Sequence, residues 1–215
     1  MLIKRVLATA AIGVSLVACE STYYNAWEQV GVHKRDILVD RIEDTRDAQE
    51  ETQEQFRDAL EQYKAVVNFD GGDLEDMYER FRDEFEASEE AAAEVASRID
   101  SVADVAEDLF DEWEEELELY SDPGLKRKSQ GKLRDTRREY EKLITAMRKA
   151  HRSTEPVLDR FRDQVLYLKH NLNARAIASM EGELATVDRD VTRLIGEMQK
   201  SIEEANQFIN SLEQG

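Results

Sequence analysis

From Leu74 to Trp113 the chain keeps one rule. Leu74, Tyr78, Phe81, Phe85, Ser88, Ala92, Val95, Ile99, Val102, Ala106, Leu109 and Trp113 follow one another at alternating steps of four and three. That spacing lays one seam along a helix and, kept up for more than five heptads, requires other helices to cover it. Met77, Val105 and Phe110 widen the seam beyond what a two-stranded coil hides, so the pattern predicts a bundle. Asp70-Gly71-Gly72-Asp73 breaks the chain before this helix, with Asp73 as its N-cap and Glu75 and Asp76 in its first turn. Ser121-Asp122-Pro123-Gly124 stops it, because proline cannot continue the ladder of backbone hydrogen bonds.

The partners carry the same signature. Leu38, Ile42, Thr45, Gln49, Thr52, Phe56, Ala59, Tyr63 and Val66 mark a first helix, expected from about Tyr24 or Trp27 to Asn68, whose polar middle packs least well. A third helix is expected after a basic turn, Lys126-Arg127-Lys128, with Leu133, Thr136, Tyr140, Leu143, Met147, Ala150, Thr154, Val157 and Phe161 on its seam. The phase survives Pro156, which predicts a kink rather than an end. Val165, Leu168 and Leu172 carry the seam on. Ile177, Met180, Leu184, Val187, Val191, Leu194, Met198, Ala205, Phe208 and Leu212 form a fourth stripe in a different phase. Either the chain turns at Asn171–Asn173 or one helix runs through a stutter. A continuous helix would be about 130 Å long with half of it uncovered, so length favours the turn. The expected fold is all-α: an elongated, antiparallel, coiled-coil-like bundle of about four long helices in one domain, residues 24–213, without strands. Its wide stripes close within one chain or across two copies.

Only two prolines and nine glycines interrupt the chain, and charged residues make up 36% of it, consistent with long solvated helices. Charge is unevenly divided: residues 73–122 hold 21 acids and 3 bases, residues 123–170 hold 14 bases and 6 acids. Neighbouring antiparallel helices would set these opposite fields face to face. The formal net charge of −19 disfavours nucleic acid as a partner, since phosphate contacts need cationic patches.

The start of the chain has an address. Lys4 and Arg5 precede an apolar run from Val6 to Leu16, followed by Leu16-Val17-Ala18-Cys19. A charged region, a short apolar stretch and small residues before a cut make a secretory signal peptide, residues 1–18. Cys19, the only cysteine, stands where the cut would fall, in a sequence resembling the lipobox of bacterial lipoproteins. That resemblance implies acylation of Cys19, a tether of residues 19–23, and a mature net charge of −21 once Lys4 and Arg5 leave. Glu20, in place of the aspartate typical of inner-membrane retention, implies the periplasmic face of the outer membrane of a Gram-negative bacterium.

Candidate chemistry is sparse. His33, His151 and His170 do not form Glu-x-x-His or His-Glu-x-x-His, and surface histidines are the expectation. Gly71-Gly72-Asp73 reads as a turn, and the acids from Asp111 to Glu116 as a solvated face. Tyr23, Tyr24 and Trp27 rest in a membrane interface or cap the bundle. No catalytic, metal or cofactor-binding residue emerges. Two groups remain: a partner-binding tip of Gly71, Gly72, Asp73, Lys169, His170, Asn171, Asn173 and Arg175, and a membrane-proximal basic turn of Lys126, Arg127, Lys128 and Lys132.

The signal, the helical body and the stretch Phe161-Arg162-Asp163-Gln164-Val165-Leu166-Tyr167-Leu168-Lys169-His170-Asn171-Leu172-Asn173-Ala174-Arg175-Ala176-Ile177 together resemble the bacterial lipoproteins grouped as domain of unknown function 2959. The resemblance spans essentially the whole mature chain and implies an exported Gram-negative protein, with no activity or site residues. The expected role is a non-enzymatic envelope spacer or adaptor, held at the membrane through Cys19 and binding another envelope protein. The alternative is a membrane-shaping helical module, which the acidic charge opposes. A ligand carrier or enzyme ranks last, lacking a nucleophile–base pair or a phosphate loop.

Overall fold

Five helical segments make four rods: α1 (Lys34–Val67), α2 (Leu74–Leu117), α3 (Pro123–Arg152) with α4 (Glu155–His170) as one interrupted rod, and α5 (Ala174–Glu213). They come from a computed structural model that describes residues 34–213. The expected signal peptide (1–18), Cys19, the tether (19–23), Tyr23, Tyr24, Trp27, His33 and the first turns of the first helix lie outside the described residues. Among the described residues there is no strand, and no helix is long and apolar enough to cross a membrane.

The predicted seams are the buried faces. All nine stripe positions of α1, from Leu38 to Val66, are buried, and so are the stripe residues of α2 from Tyr78 to Ala106. The rods form a ring in the order α1, α2, α3–α4, α5, each packed on two neighbours. Ion pairs between chain-distant positions fix the alternating direction. Lys34, at the start of α1, meets Glu112 near the end of α2 at 3.2 Å, and Lys64, near the end of α1, meets Asp188 on α5 at 2.5 Å. The opposed charge of the second and third rods is paired across their seam, through Glu114–Arg137 (2.7 Å), Glu118–Lys126 (3.0 Å) and Glu89–Arg162 (2.7 Å).

The chain turns at Asn171–Asn173, so the third and fourth stripes belong to separate antiparallel rods. The kink expected at Pro156 is a two-residue break at Ser153 and Thr154, both still in the right-handed helical region, which is why the seam keeps its phase. Pro156 has no N–H to offer the preceding turn. The hydroxyls compensate nearby: Ser153 Oγ donates to the Ala150 carbonyl at 2.6 Å and Thr154 Oγ1 to that of His151 at 2.7 Å.

One expectation needs correction. Lys126, Arg127 and Lys128 are not a turn preceding the third helix. α3 begins earlier, at Pro123, so these residues and Lys132 lie on its opening turns. Asp122 is the cap, its carboxylate accepting from the Gly124 and Leu125 N–H groups at 2.5 and 2.9 Å, and proline at the first helical position loses nothing because that N–H would have no helical partner. Pro123 thus opens α3 and does not close α2, which ends earlier than the Ser121–Gly124 stop expected from the sequence, at Leu117 with Glu118 as its C-cap.

The core is in two pieces. One holds Leu38, Ile42, Val102, Phe110, Leu143, Met147 and Phe208; the other holds Phe56, Tyr63, Phe81, Phe161, Leu168, Met180 and Leu194. Between them in the sequence of α1, α2 and α5 lie the buried polar residues Gln49, Thr52, Gln53, Ser88 and Ser201. Thr52 and Ser88 turn their hydroxyls back to the carbonyls of Ala48 and Glu84, at 2.7 and 2.8 Å. Both amide atoms of Gln49, Nε2 of Gln53 and Oγ of Ser201 have no protein partner.

Candidate functional site

The two ends of the bundle carry the groups that packing does not consume. At the end where α1 gives way to α2 and α4 to α5, four aromatic rings make a rigid floor. Tyr63 and Phe161 each meet Phe81 edge-on, at centroid distances of 5.5 and 5.6 Å, and Phe56 stacks on Phe161 at 6.5 Å. Such pairs add about 0.5–1.5 kcal/mol each beyond their buried area. The Tyr63 hydroxyl donates to the Met180 carbonyl at 2.8 Å, tying α1 to α5 beneath the turns. Burial pushes the Tyr63 phenol well above its ordinary pKa, Glu183 adds to the rise and Arg160 opposes it.

Above that floor stand both predicted turns, since Val66, Tyr78, Leu168 and Ala176, which flank them, share one core cluster. Gly71 and Gly72 take φ of 137° and 110°, backbone that a side chain resists, and allow the chain to reverse there. Asp73 caps α2, accepting from the Glu75 N–H at 2.9 Å. The two asparagines are likewise occupied. Asn171 donates from its side chain to the Tyr167 carbonyl at 2.9 Å, and Asn173 caps α5 by accepting from the Arg175 and Ala176 N–H groups at 3.0 and 3.2 Å. Of the predicted tip, Asp73, Asn171 and Asn173 therefore build the turns, while Lys169, His170 and Arg175 remain exposed and make no ion pair among the described residues.

Three apolar residues at this end were not singled out as surface: Leu166 (54% exposed), Tyr167 (37%) and Leu172 (39%). Leu166 and Tyr167 lie off the stripe running through Phe161, Val165 and Leu168, and that offset is a signal legible in the sequence. Leu172 was expected to extend the stripe. It falls in the turn between α4 and α5 instead, where the helical periodicity no longer directs it inward.

At the opposite end the start of α1, the end of α2, the start of α3 and the end of α5 surround a cleft of about 440 Å³. Lys34, Glu112, Trp113, Lys132 and Leu212 are among its lining residues. Trp113 donates from its indole to Ser129 Oγ at 2.8 Å, across the α2–α3 seam. The predicted basic residues gather here, Arg127, Lys128 and Lys132 being exposed and outside any ion pair among the described residues, whereas Lys126 holds Glu118. Leu119 (83% exposed) and Tyr120 (41%) project from the α2–α3 connection and Leu125 (53%) from the first turn of α3.

His170 is exposed and His151 is half-buried in the middle of the third rod with Nδ1 unpartnered, so the two are not brought together. Among the described residues no group of three or more His, Cys, Asp and Glu side chains gathers as metal ligands would. What the ends offer is surface: apolar side chains set among cations on a stiff support. No curated protein and no solved structure matches the chain. The family described as "Protein of unknown function (DUF2959)" matches it over residues 23–212, in keeping with the resemblance drawn from the stretch around Phe161–Ile177, and the chain belongs to that family.

Proposed function

We propose that this chain is a lipid-anchored spacer or adaptor of the bacterial envelope that works without catalysis. Acylated Cys19 holds it on the periplasmic face of the outer membrane, and the end bearing the α1–α2 and α4–α5 turns is presented to another envelope protein. One observation carries this reading: Leu166, Tyr167 and Leu172 are left exposed beside Lys169, His170 and Arg175, at the end remote from Lys34. An apolar centre rimmed by charge is the composition of a protein-binding patch. The acids opposite, Asp70, Asp73, Glu75 and Asp76, give the same end a second sign, which favours one orientation of the partner.

The test is photocrosslinking in intact cells from positions 167 and 172, with position 145, on the exposed flank of α3, as reference. The expected result is one discrete adduct from the end positions, none from 145, and loss of the adduct in Leu166→Asp. Equal capture from all three positions, or none from any, would overturn the proposal.

A further inference from the structure

We infer that the α2–α3 turn is a second membrane contact, in which Leu119, Tyr120 and Leu125 enter the headgroup layer of an anionic bilayer and Arg127 and Lys128 hold lipid phosphates. The inference rests on the reading of Cys19 as the anchor.

Three observations point to it. First, three large apolar side chains stand open to solvent within seven residues, Leu119 more exposed than any other large hydrophobic among the described residues. The turn has a reason to be tight, in the Asp122 cap and Pro123, but those features give no reason for leucine and tyrosine to project from it. An amphipathic tyrosine with leucines beside it suits the level where headgroups meet acyl chains.

Second, the charge has the wrong sign for the helix it sits on. The N-terminus of a helix favours anions, yet α3 opens with Lys126, Arg127 and Lys128, and its first turn holds no acid. Neighbouring acids account for part of this. Glu118 takes Lys126, Glu114 takes Arg137, Glu112 takes Lys34, and Asp122 is spent on backbone N–H groups. Arg127 and Lys128 are left over, and residues 119–128 hold three bases against one acid. Asp111, Glu115 and Glu116 keep the α2 flank acidic, so the bilayer is met edge-on, through the α3 side of the turn.

Third, this end is where the described chain begins. Lys34 bonds to Glu112 here, and Cys19 lies fifteen residues upstream, within at most about 50 Å of chain. The opposite end also exposes leucine and tyrosine among bases, and it serves as the internal comparison.

The test uses the acylated chain on vesicles of phosphatidylethanolamine with phosphatidylglycerol. A spin label is placed through Leu119→Cys or, separately, Leu166→Cys, acylation having consumed the native thiol. The expected result is access to a water-soluble relaxant about tenfold lower at 119 than at 166, as burial at the acyl boundary requires. That protection should fall severalfold when Arg127→Glu and Lys128→Glu are combined, or when phosphatidylcholine replaces the anionic lipid. Flotation with the vesicles but equal access at both positions would overturn the inference and leave the anchor standing. A chain that does not float at all would overturn both, at the anchor. Protection at 119 that persists in detergent, with label-to-label contact, would assign the turn to a second copy of the chain and overturn the lipid assignment.

Discussion

Tyr63 is fully buried and spends its one polar group on the Met180 carbonyl, a bond that joins residues 117 positions apart in the chain. Removing the hydroxyl alone should lower stability by about 0.5–1.5 kcal/mol, the usual worth of a neutral hydrogen bond. Urea titration of Tyr63→Phe should move the midpoint without changing the slope. The same residue sets an alkaline limit. Its folded pKa is raised, chiefly by burial, so above about pH 10 the unfolded state loses a proton that the folded state keeps. Stability is then intact below the unfolded pKa and falls as pH climbs beyond it. Tyr140, half-buried and raised chiefly by burial as well, contributes in the same direction. Tyr63→Phe should show a shallower alkaline loss than the native chain, and an unchanged slope would refute the assignment.

At the level of elements, the seams were legible because packing obeys the same four–three arithmetic as the sequence. Every predicted stripe residue of α1 is buried, and the polar stretch predicted at Thr45–Thr52 overlaps, at Gln49 and Thr52, the polar step between the two cores. Less legible were the places where local chemistry outranks periodicity. The start of α3 at Pro123 depends on the Asp122 cap, and the roles of Asn171 and Asn173 depend on which carbonyl or N–H lies within reach. Leu166 is exposed because it lies off the stripe, which the periodicity already implies, whereas Leu119 and Leu172 are exposed because they fall in the connections between rods, whose bounds no single-helix pattern encodes. Gln49 gives the polar step a testable energy. Neither of its amide atoms has a protein partner, so an apolar residue of similar volume should fit better. Gln49→Leu is expected to raise stability by about 1 kcal/mol, or roughly 2–4 °C in Tm for a chain of this size. Calorimetry showing a lower Tm would mean that the amide is satisfied in solution.

Taken whole, the molecule has its turns at opposite ends of rods about 65–70 Å long, by the rise of α2 and of α3 with α4. Dipolar spectroscopy between labels at positions 72 and 119 should give a distance near 65 Å, for about 45 residues of helix at 1.5 Å each. Labels at 127 and 210, on the opening of α3 and the close of α5, should lie within about 25 Å. One unbroken helix over the same residues would hold them about 125 Å apart. Charge acts on the molecule as a whole as well. Its ion pairs are mostly exposed and each is worth about 0–1 kcal/mol, so they align the second and third rods more than they strengthen them.

The unpartnered amides at mid-length have a mechanical meaning. A seven-residue repeat is like a rack with identical teeth: sliding one rod by a heptad, about 10 Å, would mesh almost as well as before. Gln49 and Gln53 are the odd teeth. A slip of that size would drive an amide toward the phenylalanine and tyrosine rings and draw a ring into the polar notch, so only one meshing closes. Two glutamines thereby fix the register of the rods, and with it the separation of the two ends of the bundle.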